Sequence, residues 1–220
     1  MSVNKLAELL VTPSAARRRR IVYDQKHPSD AIVARYRMAM PAVAEYLTSD
    51  FDAGVIDRHV MALRSDQSGG IWHREDRDLT ADALEHVLQL ASNLPQDGVT
   101  YSRPPAEPAR LEVEGVQISV RPDMLLTTTI RGRRYSGAMK FHFTRNEESA
   151  LTRRGAEFVA MVMQEWLTQF GTSGATPRGS LCIAVDVFRR AQVSAPTSVA
   201  RRWEEVVAGC QEIAARWPQL

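Results

Sequence analysis

The sequence predicts an α+β protein: an N-terminal helical module, then an αβββαβ core, then a C-terminal helix. Three observations predict it. Apolar residues recur at three- and four-residue spacing up to about Ser65, as amphipathic helices require. From Leu111 to Phe143 the rhythm changes to β-type runs. Helical spacing then returns on both sides of one short, continuous apolar run, Leu181 to Phe188.

The elements follow in order. Leu6, Leu9 and Leu10 form a first apolar stripe. Thr12-Pro13-Ser14 restarts a helix, with Thr12 as N-cap and Pro13 at the first helical position. Ile32, Val33, Tyr36, Met40, Val43, Ala44 and Leu47 mark an amphipathic helix that Pro41 should kink or split. Val55, Ile56, His59, Val60 and Leu63 mark another. Residues 1–65 are thus expected to be a small helical bundle and 66–77 a polar linker around Gly69-Gly70. Residues 78–220 are expected to be the α/β domain. That domain opens with a helix carrying Leu84, Val87 and Leu88, ended by Pro95 and Gly98. A Pro-rich loop follows, then three expected strands: Leu111–Val113, Val116–Leu126 and Tyr135–Phe143. Their turns are expected at Glu114-Gly115 and Arg131-Gly132. A helix over 155–170, a strand over 181–188 and a helix over 198–217 complete the order.

Composition narrows the function. Hydrophobic residues are 44% and charged residues 25%, the balance of an ordinary globular chain. The formal net charge is only +2, so bulk charge does not point to a nucleic-acid partner. Distribution does. From Arg121 to Arg154 there are eight bases and three acids. Cys182 and Cys210 have neither the spacing of a zinc site nor that of a disulfide framework. No phosphate-binding Gly-rich loop and no Gly-x-Ser-x-Gly element is present. No apolar run approaches membrane-spanning length and no signal peptide is visible, so the expected setting is cytoplasmic with no membrane partner.

The segment Ser119–Phe143 carries the chemistry. It holds Pro122-Asp123 at one strand and Lys140 in the next. With the αβββαβ order around them, these residues resemble the PD-(D/E)XK superfamily, the restriction-endonuclease-like fold, over roughly residues 78–188. The resemblance implies that Asp123 is a metal-binding aspartate and that Lys140 positions an attacking water. It implies that Glu85 is a second acid on the preceding helix, sharing Mg²⁺ with Asp123. It also puts the usual second carboxylate two residues before the lysine, where this chain has Ala138. Strand alternation places Ala138, Lys140 and His142 on one face, so His142 is a candidate for a substitute ligand or base. Glu112, Glu114 and Glu157 are further acids that could serve.

Each feature also has a plainer reading. Asp123 could cap a strand bend after Pro122. Lys140 could be a snorkelling edge lysine. The run Arg17, Arg18, Arg19 and Arg20 is a second candidate nucleic-acid-binding patch that would give salt-sensitive phosphate contacts, and its plainer reading is a solvated, ion-paired helix face. Arg121, Arg131, Arg133 and Arg134 are expected beside the site, placed to meet a phosphate backbone. Two functions follow. One is a nucleic-acid-binding or protein-interaction subunit with a decayed nuclease centre and no metal. The other is an active Mg²⁺-dependent DNA nuclease with a relocated acid. The resemblance implies a setting in defence, repair or mobile-element complexes, with DNA or another nucleic acid, a protein partner or a second copy of the chain as binding partner.

Overall fold

The computed structural model describes residues 1–28, 35–147, 150–171 and 174–220. It is an α+β fold with a five-stranded mixed sheet covered on both faces by helices. The described helices are α1 (Val3–Val11), α2 (Ala15–Lys26), α3 (Ala39–Thr48), α4 (Ala53–Ser65), α5 (Ile71–Leu90), α6 (Arg153–Phe170) and α7 (Ala200–Arg216). The strands are β1 (Val99–Ser102), β2 (Leu111–Val113), β3 (Val116–Ile118), β4 (Met124–Ile130), β5 (Arg133–His142), β6 (Thr176–Asp186) and β7 (Ala191–Ser194). None of the described helices is long and apolar enough to cross a membrane.

The main sheet runs β1-β4-β5-β6-β7. Among the described strands of this sheet only the β5–β6 pair is parallel, and α6 is its crossover. The αβββαβ order therefore holds, but with different strands. The first strand of the meander is Val99–Ser102, paired to β4, and not Leu111–Val113. The expected run Val116–Leu126 divides into β3 and β4, and β2 and β3 form their own hairpin. Alternation continues through both halves of that run, so periodicity alone could not reveal the break. The left-handed Arg121, with φ 40°, marks the break beside Pro122.

The N-terminal helices do not form a bundle of their own. Leu6 and Leu9 of α1, with Val22 of α2, join the core under α6, β2, β3 and α7. α3 and α4 pack on α5 and share the opposite core with Met124, Leu126, Met139 and Phe141. Residues 71–77, expected within a linker, are the first two turns of α5, and Asp76 and Arg77 are buried. Two local readings are also corrected. Ser14, not Thr12, caps α2, accepting from Arg17 N–H, while Thr12 ends α1. Pro41 lies in the first turn of α3, where its missing N–H breaks no bond, so it neither kinks nor splits the helix. Ile32 and Val33, expected in that helix, lie outside the described residues.

One glycine matters to the sheet. Between the pairs Ser136–Pro177 and Ala138–Cys182, residues 178–181 of β6 stand opposite Gly137 alone. A Cβ on Gly137 would lie 2.2 Å from the Leu181 carbonyl oxygen, so only glycine fits.

Candidate functional site

Asp123 immediately precedes β4, and its N–H donates to the Met139 carbonyl at 2.8 Å, extending the β4–β5 ladder. That bond sets the carboxylate beside β5. Oδ2 accepts from Phe141 N–H at 2.7 Å, and Oδ1 lies 3.6 Å from Lys140 Nζ. The Lys140 ammonium donates in turn to the Arg121 carbonyl at 2.8 Å. The two charged side chains retain 20% and 16% of their exposure, so the pair is largely desolvated. Burial pushes the Asp123 carboxyl above its usual range, and the Lys140 charge and the Phe141 N–H offset this only in part. Among the described residues no second carboxylate acts on it.

Ala138 has no exposure. It pairs with Leu125 on β4 and Cys182 on β6 and lies in the core under α6. The position where the resemblance expects a second acid is thus part of the hydrophobic interior.

The remaining expected residues scatter. His142 ends β5 on the Lys140 side, in register with Asp186, and its carbonyl accepts from Val187 N–H at 3.1 Å. Glu85 is not brought to Asp123. It lies on α5, which packs on the Met139 and Phe141 side of the sheet, and it pairs with Arg64 at 2.8 Å. Glu112 and Glu114 belong to the separate hairpin. Glu157 is on α6, which covers the Lys140 side, but it is held by Arg202 at 2.9 Å and Arg153 at 3.7 Å. With Asp186, Ala184 and Arg202 it lines a cleft of about 790 Å³ that neither Asp123 nor Lys140 lines. Asp186 itself is buried and structural, accepting from Leu151 N–H at 3.3 Å and Arg189 N–H at 3.2 Å.

These residues do not fit Mg²⁺. The ion is hard and close to octahedral, and one or two carboxylates normally anchor it alongside water and phosphate. Here one carboxylate is already engaged by an ammonium and a backbone N–H. Among the described residues no group of three or more His, Cys, Asp and Glu side chains is placed to hold a metal.

The arginines separate into two kinds. Arg17 pairs with Glu8 at 2.8 Å, Arg18 with Glu212 at 3.3 Å and Arg20 with Asp24 at 2.8 Å. Three of the four cations in that run therefore meet acids. Arg131, Arg133 and Arg134 are exposed, and among the described residues they meet none. They do not lie beside the Asp123–Lys140 pair, where the sequence reading put them. They occupy the opposite end of the β4–β5 hairpin, about 23 Å away at 3.3 Å per strand residue. Only Arg121 is adjacent to Asp123. Arg178 was not singled out in the sequence; its guanidinium lies 5.2 Å from the Tyr135 ring centroid, at the root of the hairpin tip. Compared with known proteins, the chain is matched by no family model, no curated protein and no solved structure.

Proposed function

We propose that this chain is a DNA-binding domain on a restriction-endonuclease-like core whose former catalytic position holds no metal. One observation carries the reading: the Asp123 carboxylate is closed by Lys140 and Phe141 N–H, while Ala138 is sealed in the core. The likeness to the nuclease fold is supported by the order α5-β1-β4-β5-α6-β6. It is supported too by the parallel β5–β6 pair and by an aspartate and a lysine meeting at adjacent strand ends. DNA binding is supported by arginines that are exposed and unspent. A protein-interaction role has an observation of its own, the 72% and 70% exposure of Met61 and Ile71.

The test is calorimetry with magnesium and manganese on metal-freed protein, beside cleavage assays on duplex and single-stranded DNA. Wild type and Asp123→Ala are compared throughout. The expected result is no saturable metal binding and no cleavage, with salt-sensitive DNA binding that needs no metal. Cleavage lost in Asp123→Ala would instead establish a working nuclease with an acid supplied from elsewhere.

A further inference from the structure

We infer that the tip of the β4–β5 hairpin is a two-stranded ribbon that enters the major groove of double-stranded DNA. This inference rests on the DNA-binding reading above and names the surface and the form of the ligand.

The tip stands clear of the sheet. The ladder with β1 ends at the Val99–Thr128 pair, and the ladder with β6 ends at the Tyr135–Thr176 pair. Residues 129–134 continue beyond both as two strands only, and all six are exposed. The turn is as narrow as a hairpin turn can be. Ile130 pairs directly with Arg133, and the two residues between them, Arg131 and Gly132, have φ of 50° and 76°. Two positive φ values in a two-residue loop match the right-handed strand twist and keep the ribbon tight.

The arginines on this ribbon face both ways. Residues directly opposite each other share a face, so Arg133 lies with Ile130 and Arg134 lies with Thr129 on the other side. Arg131 occupies the turn. Arg178 adds a fourth cation on the Arg133 face, through its contact with Tyr135. A flat anionic partner would need cations on one face only. A groove has a phosphate wall on each side, and a ribbon with an arginine on each face can reach both. The major groove of B-form DNA, about 12 Å wide, admits a two-stranded ribbon. The deep, narrow major groove of A-form RNA does not admit side-chain reading. The exposed Ile130 and Thr129 add small apolar contacts at the groove floor, where thymine methyl groups lie.

Binding of a labelled random-sequence duplex, followed by fluorescence anisotropy across a salt titration, tests this. The proteins are wild type, the triple variant R131Q/R133Q/R134Q, the single variants R133Q and R134Q, and R17Q/R19Q/R20Q on α2. Far-UV circular dichroism and thermal midpoints establish that each is folded. The triple variant is expected to lose affinity about tenfold or more, and its log–log salt slope should fall by about three. Each single variant should lower the slope by about one, and the α2 variant should match wild type. A triple variant that binds as wild type does overturns the ribbon and leaves DNA binding to another surface. An effect confined to one of R133Q and R134Q overturns groove insertion, since only one wall would be touched. Equal ribbon-dependent binding to duplex RNA overturns the choice of B-form DNA. If wild type binds no duplex even at low salt, the ribbon and the DNA-binding reading fall together.

Discussion

The Asp123 carboxylate and the Lys140 ammonium face each other across adjacent strand ends at 3.6 Å, each also held by backbone: Asp123 by Phe141 N–H, Lys140 by the Arg121 carbonyl. The pair closes on itself. What it does for the protein can be measured through pH and substitution.

Asp123 titrates above its ordinary range because burial outweighs its partners. The folded state therefore holds the proton more tightly than the unfolded chain, whose aspartates titrate near about 3.9. This group's contribution to stability is full below that value and is lost as pH rises through the folded-state pKa. Asp123→Asn has no such loss. Urea unfolding of both proteins from pH 4 to pH 7 should show wild type losing stability relative to the variant as pH rises. A gap that moves the other way would mean a carboxylate held below its usual range.

Removing the ammonium should make the same window wider. Lys140→Met leaves the Asp123 carboxylate desolvated with only the Phe141 N–H to stabilise its charge. The gap between the variant and wild type is expected to widen from pH 4 to pH 8, reaching about 2 kcal/mol or more, because a charged Asp123 loses its partner and a protonated one does not. The double variant Asp123→Asn, Lys140→Met should recover most of that difference. Equal losses at both pH values would assign the effect to lost packing of the lysine stem.

Placing an acid at position 138 should not create a metal site. Ala138→Glu forces a carboxylate against Leu125, Cys182 and the underside of α6. The expected cost is about 3 kcal/mol or more, and the thermal midpoint should be the same with and without magnesium. A midpoint raised by magnesium would show that the site needs only its missing carboxylate.

Gly137 and Gly132 make a contrast within one strand pair. A Cβ at Gly137 meets the Leu181 backbone, whereas one at Gly132 meets nothing within 4 Å. Gly137→Ala should therefore destabilise by about 3 kcal/mol or more. Gly132→Ala should cost about 1 kcal/mol, from its positive φ alone. Thermal unfolding of the two variants side by side checks the ranking.

Much of this molecule could be read from residue order, and the errors have physical causes. The spacing of Phe158, Val159, Val162 and Trp166 foretold α6, which buries them all. The alternation of Met139 and Phe141 with Lys140 foretold which way each would point. β1 was missed because Val99-Thr100-Tyr101-Ser102 is too short to show a period, and only its pairing with Ser102↔Leu125 through Val99↔Thr128 makes it a strand. The N-terminal helices look like a bundle in sequence because amphipathic faces do not name their partners. Leu6 and Leu9 needed the β2–β3 hairpin and α6 to be buried. Glu85 is expected beside Asp123 from the resemblance alone, and a helix can cover either face of a sheet. The arginines of the hairpin tip are close to Asp123 along the chain but not in space. A hairpin of this length separates its turn from its open end by most of the sheet's height.

Gly137 has a consequence for how the sheet assembles. β5 and β6 are far apart in the chain and pair only after α6 has crossed between them, so many alignments compete when they meet. Sliding β6 by two residues, the step that keeps each side chain on its face, would bring the Leu181 carbonyl against the side chain of Tyr135 or Met139 instead of the bare backbone of Gly137. The missing side chain thus works as a keyway. It admits one alignment and refuses its neighbours, so the parallel pair is proofread by shape at the moment it forms.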